Sequence, residues 1–289
     1  PDGDTLGSSL GLALSLKKLG KEVIVYCDDL INKSFGFIPG IDLVQRPEQG
    51  SKIACDLLVV VDASSFDRIG IVADVVEYKQ LLNIDHHISN TRFADYLYLD
   101  TKAAATGEIM CELLQEMHWP VDHDIAECFY IAISTDCGSF RYANTTPKTM
   151  RAGAWLLEQG VQPNEISDKL DVKSRLTVEM LAKVLPSLTF DADGKIAYLT
   201  ITNDLYNKDA NTDSFVNFPR YIEGVEVAIM FKAVEPKVTR VSMRSSSVDV
   251  AQVAVSFGGG GHVRAAGCTI YASVEEAREQ LLAKLRQLV

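Results

Sequence analysis

The sequence has no run of Lys and Arg. Its 28 basic residues are scattered against 39 acids, for a formal charge of −11. Long nucleic acid is held by broad basic surfaces that release counterions, so a long-polymer partner is excluded. A phosphate-bearing substrate has to be small and gripped by a few local cations or metals. No C-x-x-C pair occurs among the six cysteines (27, 55, 111, 128, 137, 268). That absence argues against a paired-cysteine zinc site and a disulfide frame, and the thiols read as buried residues in a reducing cytoplasm. No apolar run approaches the ~20 residues of a membrane span, and no signal-peptide pattern is present. A soluble, cytoplasmic protein with no membrane partner is expected. An initiator Met is also missing. The chain starts Pro1-Asp2-Gly3-Asp4 with no strand before it, and is expected to be a fragment that begins inside a motif.

Histidine is scarce, five in 289 residues, yet two are adjacent. Leu81-Leu82-Asn83-Ile84-Asp85-His86-His87 is an apolar run that reads as a buried strand and stops in an acid and two imidazoles. In open α/β sheets, ligands sit beyond the carboxyl ends of the strands. Other segments share this form. Glu22 to Cys27 reads as a β-branched strand, and Leu57 to Val61 as an apolar one ending in Asp62. Thr5 to Leu19, Ala104 to Trp119 (with Thr106 as cap), Asp124 to Asp136 and Thr146 to Gly160 have helical spacing. Alternating strands and helices predict a parallel sheet with crossover helices. From Gln162 to Leu185 the pattern is helical and more polar. Beyond it the period changes to strands at Ser187–Phe190, Lys195–Ile201, Val225–Ala233 and Lys237–Arg244, with Asp191-Ala192-Asp193-Gly194 as a hairpin turn. Helices are expected over Val248–Ser256 and Val274–Leu288. The fold class is therefore α/β. A parallel-sheet domain spans 1–161, a helical connector 162–185, and a smaller α+β domain 186–289, with the active-site cleft expected between the two domains.

Four segments put acids where ligands gather. Asp2 and Asp4 share one turn, either as helix-dipole acids or as ligands of two neighbouring ions. Asp62 is a strand-end cap or a ligand. Asp136 leaves a buried apolar helix, where an unpaired charge is costly. Carboxylates with one imidazole suit Mn²⁺ or Mg²⁺, and the imidazole favours Mn²⁺. The second signal is Gly258-Gly259-Gly260-Gly261-His262, followed by Arg264. Such a run allows positive φ and can line N–H groups around an anion. Arg244 ends a strand in the same domain and is either a phosphate clamp or a surface residue. His118 and His123 flank a Pro and read as exposed, while Trp119 and Trp155 read as packing.

Pro1 to Ser8, Val61-Asp62, Asp85-His86-His87, Thr135-Asp136 and Gly258 to His262 resemble, in this order, the motifs of the DHH phosphoesterases. The glycine loop is similar to the DHH-associated domain, which also ends alanyl-tRNA synthetases. The likeness covers nearly the whole chain. Thr135 to Tyr142 with Asn144-Thr145 resembles most the nanoRNase/pAp phosphatase branch, whose members trim very short RNA and dephosphorylate 3′-phosphoadenosine 5′-phosphate (pAp). The resemblance implies two metal ions. Asp2 would sit on the first, Asp4 on the second, Asp62 across both, and His86 and Asp136 on the second. It implies that His87 contacts the scissile phosphate or leaving oxygen and that Asp85 orients the histidine pair. Arg244, His262, Arg264 and the glycines 258–261 would hold the substrate's other end, with Arg141 near the cleft. The family also carries a His ahead of Asp2 on the first metal, a position this sequence does not include.

The expected activity is Mn²⁺-dependent hydrolysis of short oligoribonucleotides or phosphorylated nucleotides, including pAp to AMP, with homodimer formation left open. Two alternatives are a phosphodiesterase of cyclic or linear dinucleotides and a non-catalytic nucleotide sensor that lacks the first metal.

Overall fold

A computed structural model describes residues 1–289, which divide into two units, 1–172 and 173–289.

The first unit opens with α1 (Gly3–Lys18) and a two-residue strand, β1 (Val25–Tyr26), which pairs in parallel only with β2 (Val44–Gln45). The longer strand expected over 22–27 does not form. Lys21, Glu22 and Ile24 are exposed, and a β-branched run without a neighbour to pair with has no ladder to join. The main sheet has β3 (Ile53–Val61) and, after a short helix α2 (Val72–Val75), β4 (Val76–Asp85) and β5 (Tyr96–Leu99). All are parallel in the order β3-β4-β5. Val61 lies opposite Ile84, so Asp62 and Asp85 come off the same sheet edge.

Helices α3 (Thr106–Glu116), α4 (His123–Asp136), α5 (Pro147–Glu158) and α6 (Pro163–Asp171) complete the unit. Its core is centred on α4, where Ile125, Phe129, Ile131 and Ile133 are fully buried. Each such side chain contributes roughly 2–3 kcal/mol, enough to fix the helix that carries Asp136. Trp119 and Trp155 pack against this core. Helix α1 lies directly on α4 because Gly3, Gly7 and Gly11 recur at i, i+4 spacing. A Cβ on Gly7 would stand 2.3 Å from the Cys128 carbonyl oxygen, and one on Gly11 would stand 2.4 Å from the Phe129 ring.

The helical stretch expected over 162–185 breaks at 172–174. Helix α6 closes the first unit, and α7 (Arg175–Val184) opens the second. Ser174 caps α7 through the N–H of Thr177. Next come β6 (Thr189–Asp191), β7 (Ile196–Ile201), α8 (Asn217–Arg220), β8 (Val227–Glu235), β9 (Val238–Ser245), α9 (Val250–Val255), β10 (Gly260–His262), β11 (Ala265–Ile270) and α10 (Val274–Leu285). The strands form one mixed sheet in the order β10-β11-β9-β8-β7-β6, antiparallel except at β7–β8. Ala192, Asp193 and Gly194 turn between β6 and β7 with positive φ, as the Asp-Ala-Asp-Gly hairpin requires. One core packs α9 and α10 on one face of the sheet, and a second packs α7 and the segment around Phe215 on the other. No helix is long and apolar enough to cross a membrane, and all six cysteines are free.

Candidate active site

Asp62 leaves β3 with φ 57° and with its N–H bonded to the Ile84 carbonyl. A left-handed bend at that point lifts the carboxylate off the strand axis, and Asp tolerates this conformation better than most side chains. The fully buried Asp85 ends β4 and places the two imidazoles beyond the sheet edge. Helix α4 delivers Asp136 as its last residue, and the first turn of α1 delivers Asp4.

These side chains converge. His86 Nε2 lies 3.5 Å from Asp136, 3.7 Å from Asp4 and 3.7 Å from Asp62. Its Nδ1 faces the Ala103 carbonyl at 3.2 Å. A carbonyl only accepts, so Nδ1 is the donor there and Nε2 is the nitrogen that faces the three acids. Two sets of three ligand atoms stand close enough to hold an ion: Asp4, His86 and Asp136, and Asp62, His86 and His87. Asp2 belongs to neither. Its carboxylate caps α1, accepting from the Thr5 N–H at 3.0 Å and facing the Thr5 hydroxyl at 3.1 Å. Its charge also acts on Asp62 and Asp136, so it stands beside the cluster.

The carboxylates are held by groups that lie far apart in sequence. Asp4 accepts from the N–H groups of Thr106 (2.7 Å) and Gly107 (3.0 Å) at the start of α3, and from the Ser8 hydroxyl (2.8 Å). Asp62 accepts from Thr5 Oγ1 at 2.7 Å and Thr106 Oγ1 at 3.0 Å. The sequence predicts Thr106 as the cap of α3, but it is the first helical residue and its hydroxyl serves Asp62. The run Ala103-Ala104-Ala105 before it, all buried, lets that helix end approach the acids. Asn90 donates to both Asp85 (2.6 Å) and Asn83 (2.8 Å), and the Asp85 carboxylate faces His87 Nδ1 at 2.7 Å. Asn144 donates to the Ala104 and Asp136 carbonyls. Thr5, Ser8 and Asn90 are not visible as site residues in the sequence, since a hydroxyl or amide beside a motif carries no local periodicity signal.

The electrostatics are those of a cation site. Burial raises Asp4 well above the usual carboxylate range, and the charges of Asp62 and Asp136 raise it further. Asp62 is raised by burial and by Asp2. Burial pushes Asp136 up to about 6, with the two imidazoles pulling it back and Asp62 pushing it up. Asp85 differs: burial would raise it, but bonds from His87 and Asn90 hold it below its ordinary value. His87 is raised, first by its bond to Asp85. Three buried acids, each disfavouring the others' charge, with one imidazole nitrogen among them, fit a hard divalent cation. Oxygen donors with a single nitrogen suit Mg²⁺ and Mn²⁺.

Arg141 follows a turn in which Gly138, Ser139 and Phe140 all have positive φ, and its Nε donates to the Gly138 carbonyl. In the second unit Arg244 (β9) and His262 (β10) both stand opposite Ala265 of β11, which gathers them at one end of the sheet. Arg264 is exposed in the turn beside them. The glycine run departs from the expected open anion loop. The N–H groups of Gly258 and Gly259 close the C-terminus of α9, bonding to Val255 and Ala254, and Gly260 and Gly261 lie in β10. Small size is needed here for contact: a Cβ on Gly259 would stand 2.2 Å from the Gly267 carbonyl oxygen.

A parallel sheet with acids and paired histidines at its edge is followed in this chain by a mixed-sheet unit with a glycine-rich strand. Residues 1–133 match the DHH family, N-terminal domain, and residues 193–289 match the DHHA1 domain. The chain is 32% identical over 289 residues to the bifunctional oligoribonuclease and PAP phosphatase NrnA of Thermus thermophilus, covering 99% of this chain and 87% of that protein. It is 28% identical to the protein of the same name from Bacillus subtilis, covering 100% and 91%. Among solved structures, an exopolyphosphatase-related protein from Bacteroides fragilis superposes with a TM-score of 0.89 at 24% identity, covering 99% of this chain and 90% of that one. The chain belongs to the DHH family of phosphoesterases.

Proposed function

We propose that this chain hydrolyses very short oligoribonucleotides to mononucleotides and 3′-phosphoadenosine 5′-phosphate to AMP, using two Mn²⁺ ions. The observation that carries the reading is the convergence of Asp4, Asp62, Asp136 and His86 on one point. Full-length similarity to proteins named for these two activities supports it. Asp4, Asp62, Asp136 and His86 would hold the ions, with Asp2 beside them, and divalent cations held there supply Lewis acidity toward water and phosphate oxygen.

The remaining work falls to the protein. Asp85, kept ionised by His87 and Asn90, fixes the His87 ring through Nδ1, leaving Nε2 to meet the phosphate. Its bond to Asp85 raises the His87 pKa, which suits donation to a leaving oxygen. Thr5 and Thr106 hold Asp62 in place through its two oxygens. Arg244, His262, Arg264 and Gly260–Gly261 hold the substrate's other phosphate or nucleoside end, and Arg141 lies beside the reacting phosphate. The net charge of −11 selects against long polymers.

The test uses the protein with Mn²⁺ on di- to pentanucleotides and on pAp, reading mononucleotides and phosphate. Asp62→Ala is expected to lower both rates by about a thousandfold or more, the scale seen when a preorganised charge-stabilising group is removed. A protein that releases neither product above the Asp62→Ala control refutes the reading.

A further inference from the structure

Beside the glycine run, the second sheet carries a cavity of about 550 Å³ that Gly258 and Gly259 help to line. Lys232 of β8 and Arg240 of β9 line it and are direct cross-strand partners. Like charges placed directly opposite on one sheet face are destabilising, so a fold that keeps them there without a ligand is at a disadvantage. Lys232 is not a solvated surface lysine: its side chain is only 16% exposed, and its Nζ donates to the Thr212 hydroxyl at 3.2 Å. The one carboxylate nearby, Asp213, stands 3.8 Å away and is 82% exposed, a loose partner that an incoming anion can displace. Ser242 and Thr269 add hydroxyls to the lining, and Tyr271 presents a ring that is 84% exposed at the rim. Two cations, two hydroxyls and an open aromatic face make up the chemistry that binds a nucleotide phosphate and stacks its base.

The position gives the cavity its meaning. Arg240 and Arg244 are four residues apart on β9, so both side chains leave the same face of the sheet, roughly 13 Å apart at ~3.3 Å per residue. That span is longer than one nucleotide, so only a substrate of several nucleotides reaches from Arg244 to the cavity. We propose that the Lys232–Arg240 cavity is a distal phosphate subsite. It holds nucleotides that extend beyond the one held at Arg244, and it gives tetra- and pentanucleotides an advantage over dinucleotides. This rests on the proposed activity toward short RNA.

Arg240→Ala tests it, because that side chain is exposed and its removal leaves the core alone. Lys232→Met, which keeps the buried stem, is the second variant. The ratio of kcat/KM for tetra-adenylate to that for di-adenylate is expected to fall about tenfold in each variant, the size of one lost charged contact. The salt dependence of tetra-adenylate binding should become shallower by about one unit of slope. An unchanged ratio in both folded variants overturns the subsite. Calorimetry with tetra-adenylate in EDTA, where nothing is cleaved, separates the two ideas. If the wild type cleaves no RNA yet Arg240→Ala weakens this binding about tenfold, the activity reading fails and the subsite stands. Equal binding by wild type and variant sinks the subsite whatever the activity.

Discussion

Replacing Gly7 by Ala adds one methyl group, and the structure gives its cost. The new Cβ would lie 2.3 Å from the Cys128 carbonyl oxygen and 3.0 Å from Ala132, where ordinary contact begins at 3.4 Å. Helices α1 and α4 must therefore separate by about 1 Å, since the obstacle is backbone and cannot rotate away. Overpacking of this kind costs about 1–3 kcal/mol, and the better helix propensity of Ala returns about 1 kcal/mol. The net loss of stability, about 1 kcal/mol, is modest. The effect on function is larger, because α1 carries Asp4 one turn before Gly7 and α4 carries Asp136 one turn beyond Ala132. A displacement of about 1 Å between reacting groups costs on the order of 100-fold in rate. Denaturation midpoints and kcat/KM on a dinucleotide, measured with Gly7→Ala and with the exposed Lys17→Ala as control, provide the assay. A Gly7→Ala protein within threefold of wild-type activity refutes the claim that this helix contact sets the site.

Thr106→Val deletes the hydroxyl on Asp62 but keeps the N–H on Asp4, and it should weaken divalent-ion affinity by about 10- to 100-fold in calorimetric titrations. Removing the metal with EDTA should abolish turnover, and returning Mn²⁺ at about 100 times its Kd should add ~2.7 kcal/mol of stability, read as a shift in urea midpoint. In EDTA, Asp136→Asn should be more stable than wild type. A carboxyl whose folded pKa is raised to about 6 favours the protonated form, so its penalty is absent below the unfolded value, grows as pH rises through 6, and is constant above. The gap between the two proteins should therefore open between pH 4 and 7 and reach at most ~3 kcal/mol. A gap independent of pH would count against a strained carboxylate.

Much of this site is legible because its signals are local. An apolar run that stops in Asp62, or in Asp85-His86-His87, announces a strand end with ligands on it, and the buried helix ending in Asp136 announces itself likewise. The supporting shell is not local. Asp4 is held by the N–H groups of Thr106 and Gly107, at a helix start that only the folded chain brings near. The glycines at 3, 7 and 11 lie within a helical pattern and look like ordinary interruptions until a partner helix is laid on them. The run at 258–261 has the composition of an anion loop, yet composition does not reveal that α9 has claimed two of its N–H groups. The strand expected at 22–27 shrinks to two residues because pairing is a property of neighbours.

The left-handed backbone at Asp62 has an evolutionary consequence. Asn and Gly occupy that conformation at least as readily as Asp, and either would relieve the crowding of buried negative charge. The fold alone thus pulls this position away from the acid that its chemistry needs. A duplicated copy released from selection for hydrolysis would be expected to lose its function here early while gaining stability, and to survive as a well-folded binding protein. In sequences of this architecture, the residue at this bend is an economical sign of whether catalysis is still under selection.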